Sequence, residues 1–482
     1  MQQQKKYTTK IAKLVTCAGL VIGALASVLP APVALASSAN APTGPYIVNL
    51  PIITQISNQE SVFGVQMDPV SEVNGLSQLA AVQTTWTRRN GLLWSSVEPT
   101  EGARNWSAIA GLEQELIAAS QKGVRVVLIV RSTPTWARLV SDSSCGPIRA
   151  DKYAAFGAFM RDVVARYSVA PYNVKNWEIW NEQDIAVKHA GNGGDDEYGC
   201  WGDPTDAYFG GGAYGEMLKV IAPQMKSADA QAQVLVGGLL LDCDPINPPT
   251  GKDCSPAKFF EGILRSGAGS AFDGVAFHAY DYYSYSLGKY SNSNWHSAWN
   301  TTGPVLIAKE RFLKQILAAY NVTGKYLMNT ESALLCFGCN DAAGNGDTFR
   351  ATKASYLVQA NAAAMAEGLK VNVWYNVHGW FYSGLFDPGL VQGYTFRAFN
   401  FERQLLRNSP LSRSVTEYPN VMGYEFNRGD MRVWVLWSAT TASQAITLPA
   451  MPGAVYDTFG ASQTASTALT VDQLPVYVVW NP

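Results

Sequence analysis

Asn176-Trp177-Glu178-Ile179-Trp180-Asn181-Glu182 reads as a short buried strand that ends in a polar Asn-Glu pair. Packing gives no reason to carry a carboxylate to the tip of an apolar strand, because a buried unpaired charge is costly. In a parallel α/β barrel, by contrast, the C-terminal strand ends are where chemistry is done. Lys325-Tyr326-Leu327-Met328-Asn329-Thr330-Glu331 has the same form. Two glutamates at two strand tips point to paired-carboxylate chemistry.

Around these segments the chain carries further strand candidates at Val62–Gln66, Thr84–Arg88, Arg125–Val130, Gln233–Gly237, Gly274–Phe277 and Val371–Tyr375. Helical spacing of apolar residues falls between them, at Ile109–Gln121, Tyr153–Tyr167, Gly215–Lys226, Ile307–Tyr320 and Thr352–Glu367. Val126-Val127-Leu128-Ile129-Val130 is apolar throughout, as a parallel strand covered on both faces should be. Strands and helices in this alternation predict an α/β fold, a (β/α)8 TIM barrel over residues 55–410. Spare length collects after strands, in Gly191–Gly212, Asp242–Ser255 and Asp281–Thr302, so these loops should wall a cleft over the C-terminal face.

Past Thr416 the pattern changes to alternation broken by turns, at Met422–Asn427, Met431–Ser438, Gln444–Pro449, Ala454–Phe459 and Val476–Trp480. It predicts a small C-terminal antiparallel β-sandwich-like accessory domain over residues 411–482. Residues 37–54 read as a Pro- and Ala-rich linker, with a strand candidate at Pro45–Ile53 to complete that domain. Ahead of it, Lys5, Lys6, Lys10 and Lys13 precede an apolar run from Leu14 to Leu35, and Ala34-Leu35-Ala36 has the small-x-small form of a cleavage site. Residues 1–36 are therefore expected to be a signal peptide and the mature protein to be secreted, with no stable membrane association.

Cysteine usage fits export. Sequence proximity favours the pairs Cys243–Cys254 and Cys336–Cys339, which leaves Cys145–Cys200. A formal charge of -2 offers no argument for nucleic acid or an anionic membrane surface, and no nucleic-acid partner is expected. The acidic run Asp195-Asp196-Glu197 reads as a solvated loop before it reads as a calcium site. No cofactor and no metal is called for. Between Ala276 and Asn300 lie Phe277, Tyr280, Tyr282, Tyr283, Tyr285, Tyr290, Trp295 and Trp299, about half of which are expected to meet a ligand with flat apolar faces.

The motifs resemble a known group. Trp177 to Glu182 is similar to the strand-four signature of glycoside hydrolase clan A, Asn329-Thr330-Glu331-Ser332 to its strand-seven segment, and His278-Ala279-Tyr280 to its His-x-Tyr after strand six. The likeness runs from about Val62 to Asp387, and it is to families such as 39 or 5. Gln183-Asp184 departs from it, since many members have proline after the glutamate. The resemblance implies a retaining glycosidase acting on β-linked glycans, with Glu182 as acid/base and Glu331 as nucleophile. Glu182 should then be buried enough to hold a proton, and Arg88 is the candidate cation that keeps Glu331 ionised. Tyr280 is placed to hydrogen-bond Glu331, His278 shares its face, and Asn181 is a candidate for the sugar 2-hydroxyl. Glu178, deeper on the strand, reads as the buried partner of Arg88 or Arg131. Trp374 resembles the tryptophan beneath the reacting sugar, Trp380 is its rival for that place, and Trp136 is expected in the cleft wall. The alternatives are a transglycosylase with the same site and a catalytically inactive carbohydrate-binding barrel.

Overall fold

The computed structural model describes residues 61–192 and 198–481. The expected signal peptide, the linker with its Pro45–Ile53 strand, and the run Asp195-Asp196-Glu197 lie outside the described residues.

Eight parallel strands close on themselves: β1 (Phe63–Val65), β2 (Trp86–Leu93), β3 (Arg125–Arg131), β4 (Asn176–Asn181), β5 (Gln233–Leu239), β6 (Gly274–Tyr283), β7 (Tyr326–Leu335) and β8 (Val371–Trp374). Each pairs with the next, and β8 returns to β1 through Phe63↔Asn372 and Val65↔Trp374. A helix follows each strand: α1 (Leu76–Ala81), α2 (Ala110–Gln121), α3 (Tyr153–Tyr167), α4 (Gly211–Ala228), α5 (Phe259–Arg265), α6 (Leu306–Ala319), α7 (Asp347–Ala366) and α8 (Tyr394–Leu406). This is the TIM barrel. Its interior is filled low down by Trp86, Val127, Leu235, Met328, Val371 and Val373, each buried side chain of this size contributing about 1.5–3 kcal/mol. With Trp86, Val127 and Val373 facing in, alternation carries Arg88, Ile129 and Tyr375 to the inner face above them.

The long connections all leave strand C-termini, and disulfides hold them. Cys145–Cys200 joins the loops after β3 and β4, Cys243–Cys254 closes the loop after β5, and Cys336–Cys339 closes the one after β7. Two are the pairs that sequence proximity favours, and Cys145–Cys200 is the one that this leaves. After β6 the chain adds two short antiparallel strands, Tyr290–Asn292 and Ser297–Ala298. Here Phe277, Tyr283, Tyr290 and Trp295 are buried, the last three against Phe349, Tyr356 and Phe312 of the flanking helices, while Tyr280, Tyr282 and Trp299 are half-buried and Tyr285 is exposed.

Beyond the barrel, β9 (Leu411–Ser414), β10 (Val421–Arg428), β11 (Met431–Ser438), β12 (Gln444–Thr447), β13 (Ala454–Tyr456), β14 (Ser462–Gln463), β15 (Ala468–Val471) and β16 (Val476–Trp480) make two antiparallel sheets. The larger runs β9-β10-β11-β16-β13-β14 and the smaller pairs β12 with β15. Between them Trp434, Leu436, Ile446, Leu469, Val478 and Trp480 share one apolar core. The opposite face of the large sheet rests on the barrel, where Phe401 of α8 meets Tyr456 and Tyr477, each at 5.1 Å between ring centres. No helix among the described residues is long and apolar enough to cross a membrane.

Candidate active site

At the top of the barrel the strands bring Glu182 from β4 and Glu331 from β7 to one point. Both are nearly buried, at 5% and 8% exposure. Each offers a carboxylate oxygen within 4.8 Å of the other and of a nitrogen of His278. Neither lies on a regular stretch of strand. On β4, Trp180 adopts a φ of 72° and Glu182 one of 49°, conformations that cost a non-glycine residue about 1–2 kcal/mol. The Trp180 indole consequently turns outward, donating to Cys145 O (3.0 Å) and packing on Phe156 and Trp201. Asn181 is thereby swung to the side that Glu178 occupies. On β7 the register slips against both neighbours, between Asn329 and Glu331 on the β6 side. Met328 faces in and strict alternation would put Glu331 outside; the slip brings it inside.

Arg88 organises the floor. Fully buried, it donates through Nε and Nη2 to Glu178 (3.1 and 2.6 Å), through Nη2 to Asn181 Oδ1 (2.6 Å), and through Nη1 to Gln66 Oε1 (3.3 Å) and to Glu331 Oε1. Burial opposes its charge, but Glu178 and Glu331 outweigh that and raise its pKa. Glu178 is thus the buried partner of Arg88, and its Oε1 also accepts the Gly238 N–H (2.9 Å). Arg131 donates instead to Asn90 Oδ1 (2.7 Å). Tyr280 donates its hydroxyl to the other Glu331 oxygen. Burial, then the Glu331 charge, holds that phenol well above its usual pKa, so the proton stays on tyrosine.

His278 stands between the two carboxylates, its Nδ1 2.9 Å from Glu182 Oε1 and 3.5 Å from Glu331 Oε2. Burial pushes its pKa down to about 4 against the pull of Glu331, so the ring is neutral at pH 7. Backbone takes up the space behind it: a Cβ on Gly238 would run into His278 and Glu178. The trio Glu182, His278 and Glu331 has a spacing that a divalent cation would accept. Arg88 already supplies positive charge to Glu331 in that place.

Gln183 and Asp184, which replace the proline of the resembled signature, lace the β4 tip to β5. Glu182 N–H donates to Gly238 O (2.8 Å) and the Gln183 amide to Gly237 O (3.0 Å). Both oxygens of Asp184 accept backbone N–H groups, from Leu240 (2.9 Å) and Leu241 (2.8 Å). Burial raises the Asp184 pKa to about 7 despite these bonds. Buried Lys309 completes the brace, donating to Leu240 O and His278 O (both 2.7 Å). Gln183, Asp184, Lys309 and Gly238 were not singled out as site residues from sequence, and the missing proline was the only sign of them.

The expected tryptophans divide. Trp374 is buried, donates to Ser383 O (2.8 Å) and packs toward Tyr356 of α7. It faces the outside of the barrel, and its neighbour Tyr375 takes the inner side, its ring 6.1 Å from Tyr280. Trp380 is 38% exposed and stands edge-on to Tyr280 at 6.3 Å. Trp136 packs on Trp94 at 5.2 Å and donates to Glu98 O (3.0 Å), which places it with the loops after β2 and β3.

No protein-family model matches the chain, and no curated protein does. Solved structures do. A family 39 glycoside hydrolase from the gut symbiont Bacteroides cellulosilyticus aligns over 88% of this chain and 81% of its own, at 16% identity and a TM-score of 0.65. A GH30 endoxylanase from Clostridium papyrosolvens aligns over 88% and 97%, at 14% identity and a TM-score of 0.55. An α-L-arabinofuranosidase from Thermotoga maritima aligns over 87% and 96%, at 12% identity and a TM-score of 0.53. At such identities the likeness is one of fold, barrel and appended β-sheets together.

Proposed function

We propose that this chain is a secreted retaining glycoside hydrolase that cleaves neutral β-linked glycans by double displacement. One observation carries the proposal: Glu182 and Glu331 present carboxylate oxygens within 4.8 Å of each other at the barrel mouth. Retaining enzymes hold their two carboxyls about 5–5.5 Å apart, whereas inverting ones leave about 6.5–9.5 Å for a water. The matching solved structures include an endoxylanase, a glucosidase and a xyloglucanase, which supports a glycan as substrate.

In the first step Glu331 attacks the anomeric carbon while Glu182 gives its proton to the departing glycosidic oxygen, leaving a glycosyl ester on Glu331. In the second, Glu182 as the anion takes a proton from water, and the resulting oxygen displaces Glu331 from the same carbon. Arg88 and Tyr280 hold Glu331 as an oriented carboxylate and accept it back as the leaving group. A neutral His278 orients Glu182 without adding a cation beside the acid. Tyr375 offers its ring to the sugar.

The test is a panel of aryl β-glycosides and polysaccharides, with the first-formed anomer followed by NMR. Glu331→Gln should lose at least about 10³-fold in kcat, and the product should keep the β configuration. Full activity in Glu331→Gln, or an inverted product, would refute the mechanism.

A further inference from the structure

The mouth is flanked on one side by a cluster of rings that the two-carboxylate reaction does not use. Trp380 touches Phe337 and Phe381, at 5.9 and 4.6 Å between ring centres, and Phe337 touches Phe381 (4.2 Å) and Tyr282 (5.3 Å). Phe337 and Trp380 remain 39% and 38% exposed, and Tyr285 beside them 62%. Contiguous exposed rings of this kind mark binding surfaces. The cluster joins the site directly, because Trp380 stands against Tyr280, the donor to Glu331.

It is also built to stay where it is. Three separate loops supply the rings, and they are tied together: Cys336 N–H donates to Phe381 O (3.1 Å), and the Tyr285 hydroxyl donates to Phe337 O. The Cys336–Cys339 disulfide closes the turn that carries Phe337. Phe381 and Tyr382 sit at φ values of 48° and 65°. Such conformations persist only where the surroundings impose them, and they gather at ligand clamps. The rings bring hydroxyls and apolar faces and no charge of their own, which suits a neutral ligand with flat apolar faces.

We infer that Trp380, Phe337 and Phe381, with Tyr282 and Tyr285, form a platform for a further sugar of a neutral glycan chain, next to the sugar held between Glu182 and Glu331. The inference rests on the glycosidase assignment for its kinetics and on binding alone for its existence. The platform makes the protein an enzyme of chains, favouring oligosaccharides over single glycosides.

Two measurements test it. Kinetics compare xylo- and cello-oligosaccharides of two to six units with the matching glycosyl fluoride, which has no second ring. Trp380→Ala and Phe337→Ala should each lower kcat/KM about tenfold or more on the longer chains, with a much smaller change on the fluoride. Trp380→Phe, which keeps a ring, should recover most of the loss. Titration of Glu331→Gln with the same oligosaccharides, followed by tryptophan fluorescence, should give affinity that rises with chain length and is lost in the Trp380→Ala background. If no glycoside is cleaved but this binding holds, the hydrolase assignment falls and the platform stands. Equal losses on every substrate, losses confined to aryl glycosides, or no binding of any oligosaccharide by the ring-intact protein would overturn the platform.

Discussion

Arg88 offers the sharpest test of the site's architecture, because its guanidinium is used to the last hydrogen. Its N–H groups meet Glu178 twice, Asn181, Gln66 and Glu331, which accounts for all five donors that an arginine has. Lysine keeps the charge but brings three donors, so Arg88→Lys leaves two buried acceptors unpaired. At about 1–3 kcal/mol for each, the variant should lose roughly 2–6 kcal/mol of stability. Misplacing Glu331 by an ångström should lower kcat/KM on the order of 10²-fold. Arg88→Met goes further, stranding two buried carboxylates without a cation, at a cost of about 3–5 kcal/mol. One of that pair must then take up a proton, so its folded-state pKa rises above its unfolded one. Stability from such a group is fully present below the unfolded pKa and lost as pH rises through the folded one. The gap between wild type and Arg88→Met should therefore narrow from pH 8 to pH 5. Urea unfolding at several pH values, with the slope checked for constancy, reads both quantities. An Arg88→Lys midpoint within about 0.5 kcal/mol of wild type, or an Arg88→Met gap that ignores pH, would refute the reasoning.

Asp184→Asn removes one of the two acceptors that hold Leu240 and Leu241 and should cost about 1 kcal/mol at pH 5. Burial lifts the Asp184 pKa from 3.8 to about 7, so wild type should lose stability across that window while the variant does not. Urea midpoints at pH 5 and pH 7.5 should show the penalty shrinking, and a constant penalty would contradict the assignment. Gly238→Ala should cost about 1–3 kcal/mol through overpacking and lower kcat/KM, because its Cβ meets His278 and Glu178. Gly111→Ala, on α2 with open space around its Cβ, should instead stabilise by about 0.5–1 kcal/mol, and thermal unfolding of the two variants separates the cases.

Much of the fold was legible because barrel strands announce themselves by composition. Val126–Val130 could only be a strand covered on both faces, and every expected barrel strand overlaps an observed one. Strand ends were less legible. β6 runs on to Tyr283 and β7 to Leu335, well past the expected Phe277 and Met328, since the two pair with each other above the barrel where loops would otherwise begin. Two cysteine pairs were readable from their short separations, 11 and 3 residues, and Cys145–Cys200, 55 residues apart, followed as the remainder. Trp374 was misplaced for a reason that alternation itself supplies: Val371 and Val373 fill the barrel interior, so Trp374 must face α7 and Tyr375 the mouth.

The glutamates themselves show where sequence stops being informative. Their candidacy was visible in residue type and in position at the strand tips, but the strand around each is irregular, at Trp180 and Glu182 on β4 and before Glu331 on β7. A register slip leaves no trace in composition, because it is set by the neighbours on either side. For Trp180 the strained backbone is offset by the indole's bond to Cys145 O and its packing on Trp201. Cys145 is held by Cys200, and Trp201 is the next residue along. The loop disulfide, the outward tryptophan and the inward Asn181 are therefore one device. It turns Asn181 onto Arg88 and delivers Glu182 to the mouth, and each of its parts is intelligible only beside the others.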